Sequence, residues 1–184
     1  MRVIAGTARS TPLLTREGRD TRPTADRVKE GLFNAIQFEI EGRDVLDLFG
    51  GSGQLAIEAL SRGARSAVIT DASAQAVGVI EENLRRTRLA DRAQVIRTDY
   101  MDYLQKCEKK FQIIFLDPPY AENFLENALK RISEIDILSS GGIIITERPV
   151  GKVLEDHYSG LVRQRDYRYG KTVVTLFRRS EAAP

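Results

Sequence analysis

The chain has 184 residues, of which 42% are hydrophobic, and a formal net charge of +2. This is enough apolar sequence for one sizeable hydrophobic core, and no apolar stretch approaches the roughly 18 residues needed to span a membrane. A single cysteine, Cys107, excludes an internal disulfide and fits a reducing cytoplasm, while a single histidine, His157, argues against a zinc site or a histidine-based triad. We therefore expect a cytoplasmic globular protein without a bound metal.

Positive charge is concentrated towards the two ends of the chain. Residues 1–29 contain seven Arg and Lys against three Asp and Glu, and residues 148–179 contain eight against three. Residues 30–147, by contrast, contain thirteen against nineteen. Basic segments of this kind can serve solubility alone, but they are also typical of contacts with nucleic-acid phosphates.

Residues 1–43 predict a short extension: a strand and a basic, irregular arm over 1–21, then an amphipathic helix over 24–40. Apolar residues recur on one stripe of this helix, at positions 28, 32, 36 and 40. Arg22, Arg27 and Lys29 are the basic residues that we predict to bind nucleic-acid phosphates. The alternative for each is a solvated helix charge without a ligand.

A strand, a glycine turn and a helix follow this extension. The apolar strand near residues 44–49 contains Asp47, and the turn after it reads Gly-Gly-Ser-Gly. Gly51 and Gly53 allow a ligand to approach the backbone. The turn is not the dinucleotide fingerprint, because Ala56 stands where that fingerprint needs glycine, and no Gly-Lys-Ser/Thr follows to form a P-loop. We predict that Asp47, Gly51 and Gly53 bind a ligand.

Acidic residues close the next two predicted strands. Asp71 closes the strand at 67–71, roughly 20 residues past the glycines, where a carboxylate can bind ribose hydroxyls. Asp99 closes the strand at 94–98. Either residue taken singly could be a helix cap. Together with a glycine turn that lacks a phosphate-binding lysine, they favour a nucleoside without a polyphosphate, which S-adenosylmethionine fits better than NAD or ATP.

The sequence Asp117-Pro118-Pro119-Tyr120 ends a fourth apolar strand, near 112–117. Consecutive prolines cannot continue a helix or a strand ladder, so the chain turns at the carboxyl end of this strand, where open α/β sheets bind ligands. Asp117 and the Pro118 carbonyl can accept the two hydrogens of an exocyclic amine, and Tyr120 can stack on its ring. This pattern favours a planar substrate that carries an amine. The alternative is a rigid turn with a solvated aspartate.

Strands and helices alternate from residue 44 onward, which predicts an α/β fold with a mostly parallel sheet covered on both faces. The remaining predicted elements are a strand near 142–147 and helices near 53–62, 73–88 and 123–136. Two strand-like runs around Tyr169-Gly170-Lys171 predict a terminal hairpin that adds antiparallel pairing, for seven strands in total. We expect residues 1–43 to face a nucleic acid and residues 44–184 to form the ligand-binding domain.

The chain resembles the small class I methyltransferases that modify the exocyclic amine of a guanine in small-subunit ribosomal RNA. The resemblance covers nearly the whole chain in family order, and Arg-Pro-Thr is its most specific segment. The residues that carry it are Arg2-Val3-Ile4-Ala5-Gly6, Arg22-Pro23-Thr24, Asp26-Arg27-Val28-Lys29-Glu30, Asp47-Leu48-Phe49-Gly50-Gly51-Ser52-Gly53, Glu58-Ala59-Leu60-Ser61-Arg62-Gly63-Ala64 and Asp117-Pro118-Pro119-Tyr120.

This resemblance implies a Rossmann-like fold and direct methyl transfer from S-adenosylmethionine to guanine N2, without a covalent enzyme intermediate. Asp117 would stabilise the charge that develops on nitrogen and is a candidate proton acceptor. The Pro118 carbonyl would orient the amine, and Tyr120 would hold a flipped base. It also implies that Asp99 and Tyr100 contact adenine. Ribosomal RNA, within the small subunit or its assembly intermediate, would be the partner.

The chain departs from the family pattern at three positions. Gly50 stands where the family usually has alanine, Gln54 where it has small residues, and Asp71 where it has glutamate. We expect Gly50 to loosen the glycine turn and Asp71 to shorten the ribose-binding side chain. The alternatives are an N-methyltransferase acting on DNA adenine or another RNA amine and, more remotely, a non-catalytic nucleoside- or RNA-binding module.

Overall fold

The computed structural model describes residues 1–15, 23–120 and 123–180, with the backbone alone for 23–25. The helices in this part of the chain are α1 (Pro23–Ala35), α2 (Gln54–Ser61), α3 (Ala74–Thr87), α4 (Tyr100–Lys106) and α5 (Phe124–Glu134), with a short 3₁₀ turn at Ala90–Arg92. The strands are β1 (Asp44–Asp47), β2 (Ser66–Asp71), β3 (Ala93–Arg97), β4 (Phe111–Leu116), β5 (Leu138–Pro149), β6 (His157–Tyr158), β7 (Leu161–Tyr169) and β8 (Thr172–Arg179).

These strands form one sheet in the order β3-β2-β1-β4-β5-β8-β7-β6. The first five are parallel to their neighbours, whereas β8 joins β5 antiparallel and β7 and β6 continue that pairing. The predicted terminal hairpin is therefore confirmed, as β7 and β8. The predicted total of seven strands is wrong, because the two-residue strand β6 pairs with the outer edge of β7 and makes eight.

The strand order reverses between β1 and β4, which lie side by side in the middle of the sheet. Chains that leave two such strands cross to opposite faces of the sheet, and a crevice opens at their carboxyl ends. Asp47 closes β1 and Asp117 follows β4, so both lie at this crevice. The topology alone thus brings together two predicted site residues that are 70 positions apart in the sequence.

The central strands β1 and β4 are buried on both faces, which explains the continuous apolar run at residues 113–116 of β4. Alternate residues of β4 enter two different cores: Ile113 and Phe115 pack with residues of α1 to α3, and Ile114 and Leu116 with residues of α4 and α5. Each such side chain contributes about 1.5–3 kcal/mol through burial. The strand ends that carry the site are thereby held from both sides.

The N-terminal helix packs on the same core as the sheet. Val28, Leu32, Ile36 and Ile40 are all buried, as the predicted stripe requires. The helix ends at Ala35, earlier than the predicted residue 40, and the last two members of the stripe reach the core from the turns that follow.

A buried carboxylate ties the chain start to α2. Glu58 is 0% exposed, and its two oxygens accept the backbone amides of Ile4 at 2.8 Å and Ala5 at 3.0 Å. The Arg62 guanidinium donates to the same carboxylate at 2.8 Å. This contact gives the family-like segment that begins at Glu58 a structural role: it holds the extension against the sheet. No helix in the described ranges is long and apolar enough to cross a membrane.

Candidate active site

Residues at or just after the carboxyl ends of β1, β2, β3 and β4, together with the first residue of α5, line one cavity at this edge of the sheet. Its volume is about 150 Å³, and it is open to solvent on one side. Six of the predicted site residues line it: Gly51, Asp71, Asp99, Tyr100, Asp117 and Pro119. The other lining residues are Leu48, Phe49, Ala72, Thr98 and Phe124. Asp47 lies beneath the cavity at the end of β1, buried next to the Asp117 charge.

The glycine turn has the backbone conformation that only glycine adopts freely. Gly51 and Gly53 have φ angles of 60° and 77°, and Gly53 caps the start of α2 in the left-handed region. Asp71 fixes this turn from the end of β2. One of its carboxylate oxygens accepts the Gly51 amide at 2.9 Å, and the other accepts the Ser73 amide at 2.8 Å. Asp71 therefore stabilises the glycine turn. That it also binds ribose hydroxyls stays a prediction.

The glycine at position 50 is compensated by its neighbours. A methyl group there would lie 2.6 Å from Ile69 Cγ2 and 2.9 Å from Ile80 Cδ1. The two isoleucines thus occupy the space that the alanine of the family pattern would need. The expected looseness of the turn does not follow, because this volume is filled.

Asp47 is an isolated buried carboxyl group. It is 1% exposed, and neither carboxylate oxygen has a hydrogen-bond partner of ordinary geometry within the described residues. Burial, followed by the negative charges of Asp117 and Asp71, raises the pKa of Asp47 to about 7, and the backbone amides of Ala56 and Phe49 oppose this only in part. Such a group favours a cationic ligand. A nearby positive charge would offset the cost of burying the carboxylate and would reduce its repulsion with Asp117 and Asp71.

An aromatic wall closes the side of the cavity near β3. The Tyr100 ring lies 5.0 Å from the ring of Phe49 and meets the ring of Phe124 edge-on at 5.5 Å. Asp99 caps α4 by accepting the Met101 amide at 2.8 Å. The helix-cap role that the sequence left open for Asp99 is therefore real, and the residue lines the cavity as well.

The Asp-Pro-Pro-Tyr turn forms the other side of the cavity. Asp117 is half-buried, Pro118 is buried, and the ring of Tyr120 is 57% exposed at the surface. The Tyr120 hydroxyl lies 3.5 Å from Glu147 Oε1. Burial, with the negative charges of Glu147 and Asp117, raises the pKa of Tyr120 to about 12. The tyrosine therefore stays neutral at physiological pH and offers an open aromatic face.

Glu147 was not among the predicted site residues. It follows Thr146, which pairs with Leu116 of β4, so Glu147 lies within β5 beside Asp117, the first residue after β4. Burial, followed by the Asp117 charge, raises the pKa of Glu147 to about 8. The pattern that singled out the other acidic residues, an acid at the end of an apolar strand, also fits residues 143–147 and could have identified it. Within the described ranges, no group of three or more His, Cys, Asp or Glu side chains is arranged to hold a metal ion.

The three residues predicted to bind phosphates have different outcomes. Arg22 lies outside the described residues. Arg27 is exposed, and it lines a second cavity of about 260 Å³ with Arg2 and Arg9, next to acidic side chains of α1. That position leaves its prediction open.

Lys29 does not fit the prediction of a phosphate contact, and that prediction is wrong. Its side chain is 2% exposed, and its ammonium donates to the Arg2 carbonyl at 2.6 Å and lies 3.7 Å from Glu58. Burial lowers the pKa of Lys29, and Glu58 opposes this effect. The charge therefore belongs to the internal anchor of the N-terminal segment and cannot reach a surface ligand.

The sheet order, the antiparallel strand next to β5 and the cavity at the β1/β4 reversal define a class I methyltransferase fold. The solved structure named "Putative methyltransferase yhhF from Escherichia coli" has this fold: it superposes with a TM-score of 0.84 at 30% identity, over 97% of each chain. The family described as Conserved hypothetical protein 95 matches residues 1–178, and this chain belongs to it.

Two curated relatives are similar along nearly their whole length. "Putative rRNA methyltransferase YlbH" of Bacillus subtilis is 39% identical, and the alignment covers 97% of this chain and 99% of that protein. "Ribosomal RNA small subunit methyltransferase D" of Haemophilus influenzae is 33% identical, with 91% and 93% covered. The family assignment thus extends across both the N-terminal segment and the sheet.

Proposed function

We propose that this protein transfers a methyl group from S-adenosylmethionine to the N2 amine of a guanine in small-subunit ribosomal RNA. The observation that carries the proposal is that Gly51, Asp71 and Asp117 line one common cavity, with Asp47 buried next to Asp117. The relatives' names support ribosomal RNA as the substrate. Guanine N2 rests on the family resemblance and on the chemistry of the Asp-Pro-Pro-Tyr turn.

The residues present fit S-adenosylmethionine as the cofactor. This molecule is cationic at its sulfonium and its amino group, and Asp47 and Asp117 supply negative charge whose mutual repulsion a cation would relieve. The carboxylate of Asp71 retains lone pairs beside the two amides that it accepts, and these can bind ribose hydroxyls. The rings of Phe49 and Tyr100 offer an apolar wall for adenine.

The bound cofactor supplies an electrophilic methyl group on sulfur, and the protein's part is to orient and stabilise the amine. A guanine amine is a poor nucleophile, because its lone pair is delocalised into the ring. Asp117 and the Pro118 carbonyl accept its two hydrogens, which directs the lone pair at the methyl group. The negative charge of Asp117 stabilises the positive charge that develops on nitrogen. Tyr120 offers its exposed ring to a base taken out of its stack.

Residues 1–43 are the part that we assign to the RNA, with residues 44–184 as the methyltransferase domain. Arg27 and its neighbours Arg2 and Arg9 are exposed on this segment and can meet phosphates. We assign the Pro118 carbonyl to the substrate amine, and Pro119 lines the same cavity as Asp117. We place the reaction in the cytoplasm, where small subunits assemble.

Labelled cofactor and undermethylated small subunits test the proposal directly. The purified protein is incubated with both, the RNA is digested, and the labelled nucleoside is identified; naked small-subunit RNA and duplex DNA serve as parallel substrates. We expect label in N2-methylguanosine and none in DNA, with Asp117→Ala as the inactive control. Label in adenine, or on a carbon atom, would contradict the guanine N2 assignment.

A further inference from the structure

Glu147 lies beside Asp117 because of the pairing between β4 and β5. The register joins Leu116 to Thr146, so Asp117, the first residue after β4, lies next to Glu147, which is still paired within β5. Neighbouring strands are about 4.8 Å apart, so two side chains in this relation reach the same small volume. An amine bound by Asp117 is therefore within reach of Glu147, which is half-buried.

No basic side chain among the described groups around Glu147 neutralises its carboxylate. From β4 it meets the Asp117 carboxylate, and from the following turn the Tyr120 hydroxyl at 3.5 Å. From β8 it faces Val174, its uncharged register partner. The adjacent Arg148 does not neutralise it, because that guanidinium donates to Asp166 at 2.9 Å and to Thr175 at 3.1 Å. Two carboxyl groups so placed resist being ionised together.

Methylation of an amine must release a proton. As the nitrogen–carbon bond forms and the carbon–sulfur bond breaks, the nitrogen becomes positively charged, and one nitrogen–hydrogen bond must break to restore the neutral methylamine. The thioether product does not take that proton. The site therefore needs a base, and Asp117 is already committed to orienting the amine and stabilising its charge.

We propose that Glu147 is the proton acceptor of the reaction. This inference rests on the proposed function, because it needs an amine held at Asp117. It gives the two carboxylates different tasks: Asp117 orients and stabilises, and Glu147 removes the proton. The raised pKa of Glu147, about 8, suits this task, since a base works best when its pKa is near the working pH. Because the ionised form is the active one, the rate of methyl transfer should rise with pH up to about 8.

Single-turnover methylation of small subunits between pH 6 and 9.5 tests this role, with cofactor and RNA saturating. For the unchanged protein we expect the rate to rise about tenfold per pH unit and to level off near pH 8. Glu147→Gln should lower the plateau by about 10²-fold and remove the rise, and Glu147→Asp should restore part of both. Glu155→Gln, at an exposed glutamate outside the cavity, is the matched control and should keep the original profile.

Two results would overturn the proposal. One is a Glu147→Gln protein that keeps both the rate and its rise with pH. The other is a Glu147→Gln protein whose loss of rate is matched by a loss of cofactor affinity or melting temperature, since Glu147 would then be structural. Failure of the proposed function is separate: label would appear in a nucleoside other than N2-methylguanosine, whereas the pH comparison holds for any amine substrate that loses a proton.

Discussion

The substitution Asp47→Asn should stabilise the protein while weakening its binding of S-adenosylmethionine. The pKa of Asp47 rises from an ordinary 3.8 to about 7 on folding, so the folded chain binds this proton more tightly than the unfolded chain. The free energy of unfolding that this group contributes is therefore highest below pH 4 and is lost as the pH rises towards 7. Asparagine is neutral at every pH and does not incur this loss.

The magnitude follows from the width of that pH window. One pKa unit corresponds to about 1.4 kcal/mol, so the advantage of the Asp47→Asn variant over the unchanged protein should grow by about 3 kcal/mol between pH 5 and pH 8. Cofactor affinity at pH 8 should fall at least about tenfold, because the buried negative charge that favours a cation is removed. Urea denaturation at both pH values and calorimetry with S-adenosylmethionine measure the two effects.

Asp44 provides a matched control on the same strand. It is hydrogen-bonded to the guanidinium of Arg65 and to the Ser66 hydroxyl, and these contacts hold the pKa of Asp44 below its usual range. The stabilising effect of Asp44 is present above its pKa in the unfolded chain and is lost in acid. Asp44→Asn should therefore lower the free energy of unfolding at pH 8. The loss should be no more than about 1 kcal/mol, because Arg65 is exposed. If Asp47→Asn changes stability equally at pH 5 and pH 8, Asp47 is not a strained buried charge and the reasoning fails.

Three further predictions concern other parts of the molecule. Asp117→Ala should lower turnover by about 10²-fold or more with cofactor affinity nearly intact; calorimetry that showed lost affinity, with turnover per bound cofactor unchanged, would contradict its assigned role. Glu58→Ala should lower the free energy of unfolding, measured in urea, by about 3–5 kcal/mol, because two backbone amides and Lys29 lose their buried partner. The control Glu82→Ala, on the surface of α3, should lower it far less. Arg27→Gln should reduce the slope of log affinity for RNA against log salt by about one, with an unchanged melting temperature; an unchanged slope would remove Arg27 from the RNA surface.

Local patterns in the sequence were sufficient for the elements that form the cofactor side of the site. The helices predicted near 53–62, 73–88 and 123–136 are confirmed to within two residues as α2, α3 and α5. The turn between β1 and α2 was predictable for the same reason: glycine adopts the positive φ angles seen at Gly51 and Gly53 without steric strain, whatever surrounds it. Asp71 at the end of β2 and Asp117 after β4 line one cavity, and Asp47 at the end of β1 is buried next to Asp117, because parallel strands share their carboxyl edge.

Weaker local signals gave less accurate boundaries. Strand β5 begins at Leu138, four residues before the predicted start, because Leu138 pairs with Phe111 of β4 ahead of an irregularity that contains the polar residues 139–142. Helix α4 was not among the predicted helices, since seven residues carry too short a period to detect. Strand β6 has two residues and exists through its pairing with β7 alone.

The surroundings of Lys29 and Glu147 are set by the tertiary structure. On its helix Lys29 looks like any solvated charge; it is buried because Glu58, on a different helix, and the Arg2 carbonyl meet it in the interior. Glu147 gains its place beside Asp117 from strand register, which joins residues 30 positions apart. The sequence by itself determined which side chains stand at strand ends and where the backbone must turn, because those properties depend on near neighbours. Only the tertiary structure decided which charges meet and which are removed from water, because burial and electrostatic energy depend on groups that are distant along the chain.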